Sequence, residues 1–184
     1  MCRSLAFIYS LGLGLISPIA VAGQDTIISP RGIGPLQLCE NLSRVTAFFP
    51  QARDTVMSGE GDSHWPSKIA HLLDGTRIIF ESSWVDSSHV WRINTNSRAY
   101  HTPRGYAVGT LVSALVEKGE KLQFDYPEGF LVITAGDSVP FLVDDATAIA
   151  FFRHPDYQRT PLRALDPKAR ITEVFVNGDC RGKH

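Results

Sequence analysis

A glycine-centred turn that runs into an apolar-faced helix occurs twice along this chain. The first copy is Arg31-Gly32-Ile33-Gly34-Pro35-Leu36 ahead of Leu42-Ser43-Arg44-Val45-Thr46-Ala47-Phe48-Phe49. The second is Arg104-Gly105-Tyr106-Ala107-Val108-Gly109 ahead of Leu111-Val112-Ser113-Ala114-Leu115-Val116. Long-range self-similarity restricts a chain to architectures that use one supersecondary unit more than once. Each copy is followed by short apolar runs of strand character, so a unit of roughly seventy residues is expected twice.

In the first unit Leu42, Val45 and Phe49 fall at helical spacing, and Pro50 closes the segment because it cannot continue a helix. Asp74-Gly75, between apolar residues 68–73 and 77–81, signals a hairpin, since tight hairpin turns need positive backbone angles. Residues 89–95 supply a further strand on which Trp91, Ile93 and Thr95 share one face. Alternation also puts Trp84 with Ile78 and Phe80, which leaves Trp65, beside Pro66 in a long turn, as the tryptophan expected at the surface. In the second unit Gly119 ends the helix, residues 121–126 and 130–134 read as strands, and Pro140 places residues 139–143 at a sheet edge. Asp144 and Asp145 are placed to cap a brief helix through Phe152, and residues 171–176 form the last strand. The expected fold class is α+β: two tandem helix-plus-antiparallel-sheet repeats, residues 23–103 and 104–184, in one compact body.

Residues 1–22 have the three-part form of a secretory signal peptide: Arg3 near the start, an apolar stretch over residues 5–16, and Ala20-Val21-Ala22 before the expected cut. That stretch is shorter than the roughly 20 residues that span a bilayer, so no transmembrane segment is expected in the mature chain. Cleavage removes one cation and moves the formal net charge from -1 to -2, which gives no overall attraction to nucleic acid. Cys39 and Cys180 are the two cysteines left, an even count that in an exported chain points to a disulfide. The localisation expected is periplasmic or extracellular.

Residues 153–170 have no counterpart in the first unit. Pro155, Pro161 and Pro167 make this an irregular loop. Arg153, Arg159, Arg163, Lys168 and Arg170 stand against Asp156 and Asp166, five cations against two anions, a local balance of +3 suited to an acidic protein partner. Signals for chemistry are weak by comparison. The histidines at 64, 71, 89, 101, 154 and 184 show no spacing that sets two metal ligands on one helical face, so no metal is expected. The serines lack the nucleophile elbow and the glycines form no nucleotide loop, so no cofactor is expected either. Asp144 and Asp145 are explained as helix caps and Asp137 as a turn residue.

Val108-Gly109-Thr110-Leu111-Val112-Ser113-Ala114-Leu115 is a glycine, a small polar residue and then a helix, and Leu38-Cys39-Glu40-Asn41-Leu42-Ser43-Arg44-Val45 aligns with it at an offset of seventy, setting Cys39 opposite Gly109. This pattern resembles the repeats of the β-lactamase-inhibitory-protein-like fold, including the outer-membrane assembly lipoproteins of the SmpA/OmlA type. The resemblance implies a scaffold that presents a sheet face or loops to another protein, and it implies no catalytic residues. A lipid-attachment cysteine is missing, so the resemblance implies no lipid tether.

Together these features point to an exported, non-enzymatic protein-binding module of the cell envelope, with Trp65 and the 153–170 cations as its contact residues. Two rival functions are a secreted hydrolase assembled from dispersed carboxylates and histidines, and an enzyme inhibitor, the latter resting on fold analogy.

Overall fold

Asp74 and Gly75 form the tip of a hairpin, as the turn chemistry requires. Gly75 takes φ +81°, the Asp74 Oδ1 accepts from the Thr76 amide at 3.0 Å, and the Leu72 amide donates to the Thr76 carbonyl at 2.8 Å. A computed structural model of the chain describes residues 26–59, 61–125, 130–136, 138–153, 165–178 and 180. The hairpin joins β5 (His64–His71) to β6 (Arg77–Glu81), and these lie in a meander between β4 (Arg53–Ser58) and β7 (Arg92–Thr95). The later part of the chain supplies β8 (Gln123–Asp125), β9 (Val132–Thr134), β10 (Pro140–Val143) and β11 (Ile171–Asn177). All eight form one antiparallel sheet in the order β4-β5-β6-β7-β11-β10-β9-β8, so the two meanders meet where β7 pairs with β11.

Among the described residues three α-helices accompany the sheet. A 3-10 turn at Leu42–Arg44 runs into α1 (Val45–Phe48), α2 spans Val112–Glu117, and α3 spans Asp145–Phe152. Each end has a local cause. Asn41 Oδ1 accepts from the Ser43 amide at 2.9 Å and so caps the 3-10 turn, while Gly119, at φ +73°, donates to the Val116 carbonyl and stops α2. Asp144 caps α3 by accepting from the Thr147 amide at 3.0 Å.

The sheet order corrects one expectation. Pro140 lies in an interior strand, since β10 has β9 on one side and β11 on the other. It is tolerated there because it is the first residue of the strand, where a missing amide costs least. A second difference is a small three-stranded sheet of β1 (Ile28–Ser29), β2 (Gly32–Ile33) and β3 (Leu36–Gln37), where the sequence suggests only a turn. Gly32 is needed there because a Cβ would lie 2.1 Å from the Leu36 carbonyl oxygen.

The main core lies between one sheet face, carrying Ala70, Ile78, Phe80, Ile93, Phe141 and Val174, and the packed residues Leu36, Val45, Phe49 and Leu115. The Phe49 and Phe80 rings meet at 4.9 Å. Each large apolar side chain buried here contributes about 1.5–3 kcal/mol relative to exposure. A second cluster joins α2, β9, β10 and α3 through Val112, Ile133, Val143 and Phe151.

Cys39 and Cys180 are bonded, with Cα atoms 5.3 Å apart across 141 residues of sequence. Closing so long a loop removes unfolded-state entropy equivalent to as much as about 5 kcal/mol. The bridge ties the end of the chain, just past β11, to the segment that leads into the first helix.

Candidate tryptophan-lined groove

Glu81 braces one wall of a broad groove through its bonds to Trp65 and Arg92. Its side chain is fully buried at the end of β6, where an unpaired carboxylate would be strongly unfavourable. The neighbouring strands meet that need. Arg92, opposite it on β7, donates from Nε to Oε1 at 3.0 Å and from Nη2 to Oε2 at 2.8 Å. Asn94 Nδ2 adds a bond to Oε1 at 3.0 Å and Trp65 Nε1 one to Oε2 at 3.2 Å.

Two indoles are thereby fixed through one carboxylate. Trp65 is anchored by its ring N–H and packs against Gly59, where a Cβ would come within 2.9 Å of the ring. Trp91 carries the Arg92 guanidinium over its face, 5.2 Å from the ring centre. Trp84 stands on the connector between β6 and β7 and is 76% exposed. All three tryptophans line one groove of about 1220 Å³, together with Met57, Phe130 and Asn177. Cys180 of the disulfide also lines it, so the covalent staple holds one wall beside the connector.

The placement of the aromatics differs from the sequence expectation. Trp65 belongs to β5 and is half-buried, because that strand begins at His64 instead of after the turn. Trp84 has left the β6 ladder, which ends at Glu81, so strand alternation no longer governs it. Trp91 precedes β7 and is half-buried, with its backbone amide donating to the Glu81 carbonyl at 2.7 Å.

Asp86, Ser88 and His89 sit together on the same connector. The Ser88 amide and hydroxyl donate to Asp86 Oδ1 at 3.0 and 2.7 Å, and His89 Nδ1 lies 2.8 Å from Asp86 Oδ2. The Ser88 hydroxyl and amide, and then the His89 ring, hold the Asp86 carboxyl well below the usual carboxylate range. The three residue types are those of a hydrolytic triad, but the geometry is different. Ser88 Oγ lies 2.9 Å from Nδ1, the same ring nitrogen that meets Asp86, whereas a triad sets the carboxylate and the nucleophile on opposite nitrogens. The cluster serves to brace the connector.

Of the cations singled out in the sequence, the three that are described, Arg153, Lys168 and Arg170, do not line the groove. Arg153 follows α3 as its exposed C-cap, and Lys168 is exposed in a turn where its amide donates to Asp166 Oδ1 at 2.8 Å. Arg170 is tied into the fold, donating from Nη1 to the Gly109 carbonyl at 2.9 Å and from its amide to Asp144 Oδ2 at 3.3 Å. Arg159 and Arg163 lie outside the described residues. Asp144 is occupied as cap and tether, and it does not line the groove. Among the described residues no group of three or more His, Cys, Asp or Glu side chains is placed to hold a metal ion, and no helix is long and apolar enough to cross a membrane.

These features define an α+β protein with a mostly antiparallel sheet, an aromatic groove and a long-range disulfide of the kind formed in oxidising compartments. The chain is similar in fold to the uncharacterized protein yfeY from Escherichia coli, whose crystal structure superposes with a TM-score of 0.61 at 13% identity, covering 83% of this chain and 100% of that one. Likeness at that identity concerns the fold alone. No protein-family model and no curated protein matches the sequence.

Proposed function

We propose that this chain is an exported, non-enzymatic binding module of the cell envelope that takes its partner in the tryptophan-lined groove. The observation that carries the reading is Trp84, an indole 76% exposed beside two others that a buried ion pair holds in place. Exposed aromatic side chains over rigid supports are the usual anchors of recognition surfaces. Export is supported by the form of residues 1–22 and by the Cys39–Cys180 bridge.

The scaffold is read as two copies of one unit, residues 23–103 and 104–184, in the manner of the β-lactamase-inhibitory-protein-like fold. Matched backbone bonds support this. The Cys39 amide donates to the Val90 carbonyl as the Gly109 amide does to Ile171, and Leu42 donates to Ser88 as Val112 does to Ala169. Val90 in turn donates to Glu40, and Ile171 to Thr110. Cys39 and Gly109 also share a left-handed backbone, at φ +68° and +89°.

A photo-crosslinking residue placed at Val85 in the exported protein tests the reading in its native compartment. A specific adduct is expected at Val85, and a crosslinker at Lys168 tests the basic 153–170 surface for an acidic protein. Adducts at Lys168 with none at Val85 would move the binding surface to the basic segment.

A further inference from the structure

The chemistry of the groove narrows its ligand. Besides the three indoles it is lined by six serines and by the exposed amide of Asn177. Its ionised side chains are already matched within the chain: Arg92 is bidentate to Glu81, and Asp86 is held by Ser88 and His89. Each of these ions thus already has a hydrogen-bond partner within the chain. At about 1220 Å³ the groove exceeds the roughly 300–1,000 Å³ of a pocket for one small molecule, so it suits a chain of linked rings.

We infer that the groove is a site for a neutral oligosaccharide, an inference that rests on the groove being the ligand site proposed above. A pyranose ring has a flat C–H face that packs on an indole and a rim of hydroxyls that both donate and accept. The exposed Ser87 hydroxyl and the Asn177 carboxamide offer the same dual capacity without charge, while the hydroxyls of Ser58, Ser83 and Ser88, bonded within the chain, keep acceptor capacity. Trp84 supplies the exposed platform. Trp65 and Trp91, fixed through Glu81 and Arg92, supply rigid walls whose ordering is complete before binding. An extended peptide would instead favour backbone pairing along an open sheet edge, and edge strand β4 borders the groove only at its last residues, Met57 and Ser58. The indoles come from β5 and from the connector between β6 and β7, both inside the sheet order.

The disulfide-bonded exported protein is screened on an array of neutral and acidic oligosaccharides, and hits such as chitotetraose or cellotetraose are titrated by tryptophan fluorescence and calorimetry. Binding of a neutral oligosaccharide with a change in indole emission is expected. Trp84→Ala weakens it by about tenfold or more, and Leu73→Ala, at the remote hairpin tip, leaves it unchanged. An array without neutral hits, binding confined to acidic saccharides, or full affinity in Trp84→Ala each overturns the inference. If the array is blank while Val85 still crosslinks to a protein, the saccharide assignment falls and the groove stands as the binding site. If both experiments are blank, both readings fall.

Discussion

Glu81 is the residue on which the local chemistry depends. A buried carboxylate with three side-chain donors is stable only while the donors remain, and Arg92 supplies two of its four bonds. Replacing Arg92 by Met keeps the bulk and removes the charge, leaving the carboxylate buried without its ion partner. We expect a loss of about 3 kcal/mol, measured as a lower urea midpoint at unchanged m-value. A loss below about 1 kcal/mol would mean that the pair behaves as an ordinary surface ion pair. Gly59 makes a second test at this scale. The Cβ in Gly59→Ala meets the Trp65 ring at 2.9 Å, so the indole shifts and its bond to Glu81 lengthens or breaks. The expected cost is about 1 kcal/mol, with a red-shifted tryptophan emission as the ring meets water. Unchanged emission would show that Trp65 is not held where it has been placed.

Among the elements, α3 shows how a side chain decides a helix. Asp144 binds the Thr147 amide at one oxygen and the Arg170 amide at the other, so it caps the helix and pins the far end of the segment that follows. Asp144→Ala is expected to cost about 1–2 kcal/mol and to raise amide exchange in α3 and at Arg170 together. Exchange rising in α3 alone would separate the cap from the tether. Elements of this kind were legible in the sequence because their causes are local: Asp74-Gly75 for the hairpin, Gly119 for the end of α2, Asp144 for the start of α3. The two-residue strands β1 to β3 are too short to show a period, and Pro140 misleads because a strand's first residue and an edge strand tolerate proline for the same reason. Cys39 and Cys180 were readable as a pair from number and compartment. The groove was not readable, because Trp84 takes its exposure from a connector that leaves the β6 ladder, and Trp65 and Trp91 are joined through a carboxylate on a third segment.

At the scale of the whole molecule, four ionised carboxylates among the described residues set the response to acid, and the first, Asp74, is held low by the Thr76 hydroxyl and then its amide. Asp86 is held low by Ser88 and then His89, and Glu120 by the Tyr106 hydroxyl and then Arg104. Burial works against the ionised Asp144, yet the Thr147 and Arg170 bonds outweigh it and its pKa is also lowered. A carboxyl with a depressed folded-state pKa binds fewer protons than its unfolded counterpart, so its stabilisation is complete above the unfolded value and lost as pH falls toward the folded one. The thermal midpoint should therefore hold steady from neutral pH to about 5 and fall steadily below about 4. A midpoint as high at pH ~3 as at neutrality would contradict these assignments.

The two meanders differ most in what joins their last two strands. Between β6 and β7 lies the short connector carrying Trp84, Asp86 and His89, whereas between β10 and β11 lies α3 with the 153–170 segment. A binding role in the groove requires the first of these connectors to be covered by a ligand in the native compartment. Hydroxyl-radical footprinting measures that directly, by comparing oxidation of Trp84 in the native compartment and in purified protein, with Leu73 as the exposed reference. Trp84 is expected to be protected in the native compartment while Leu73 reacts equally in both; equal oxidation of Trp84 in the two settings would contradict an occupied groove.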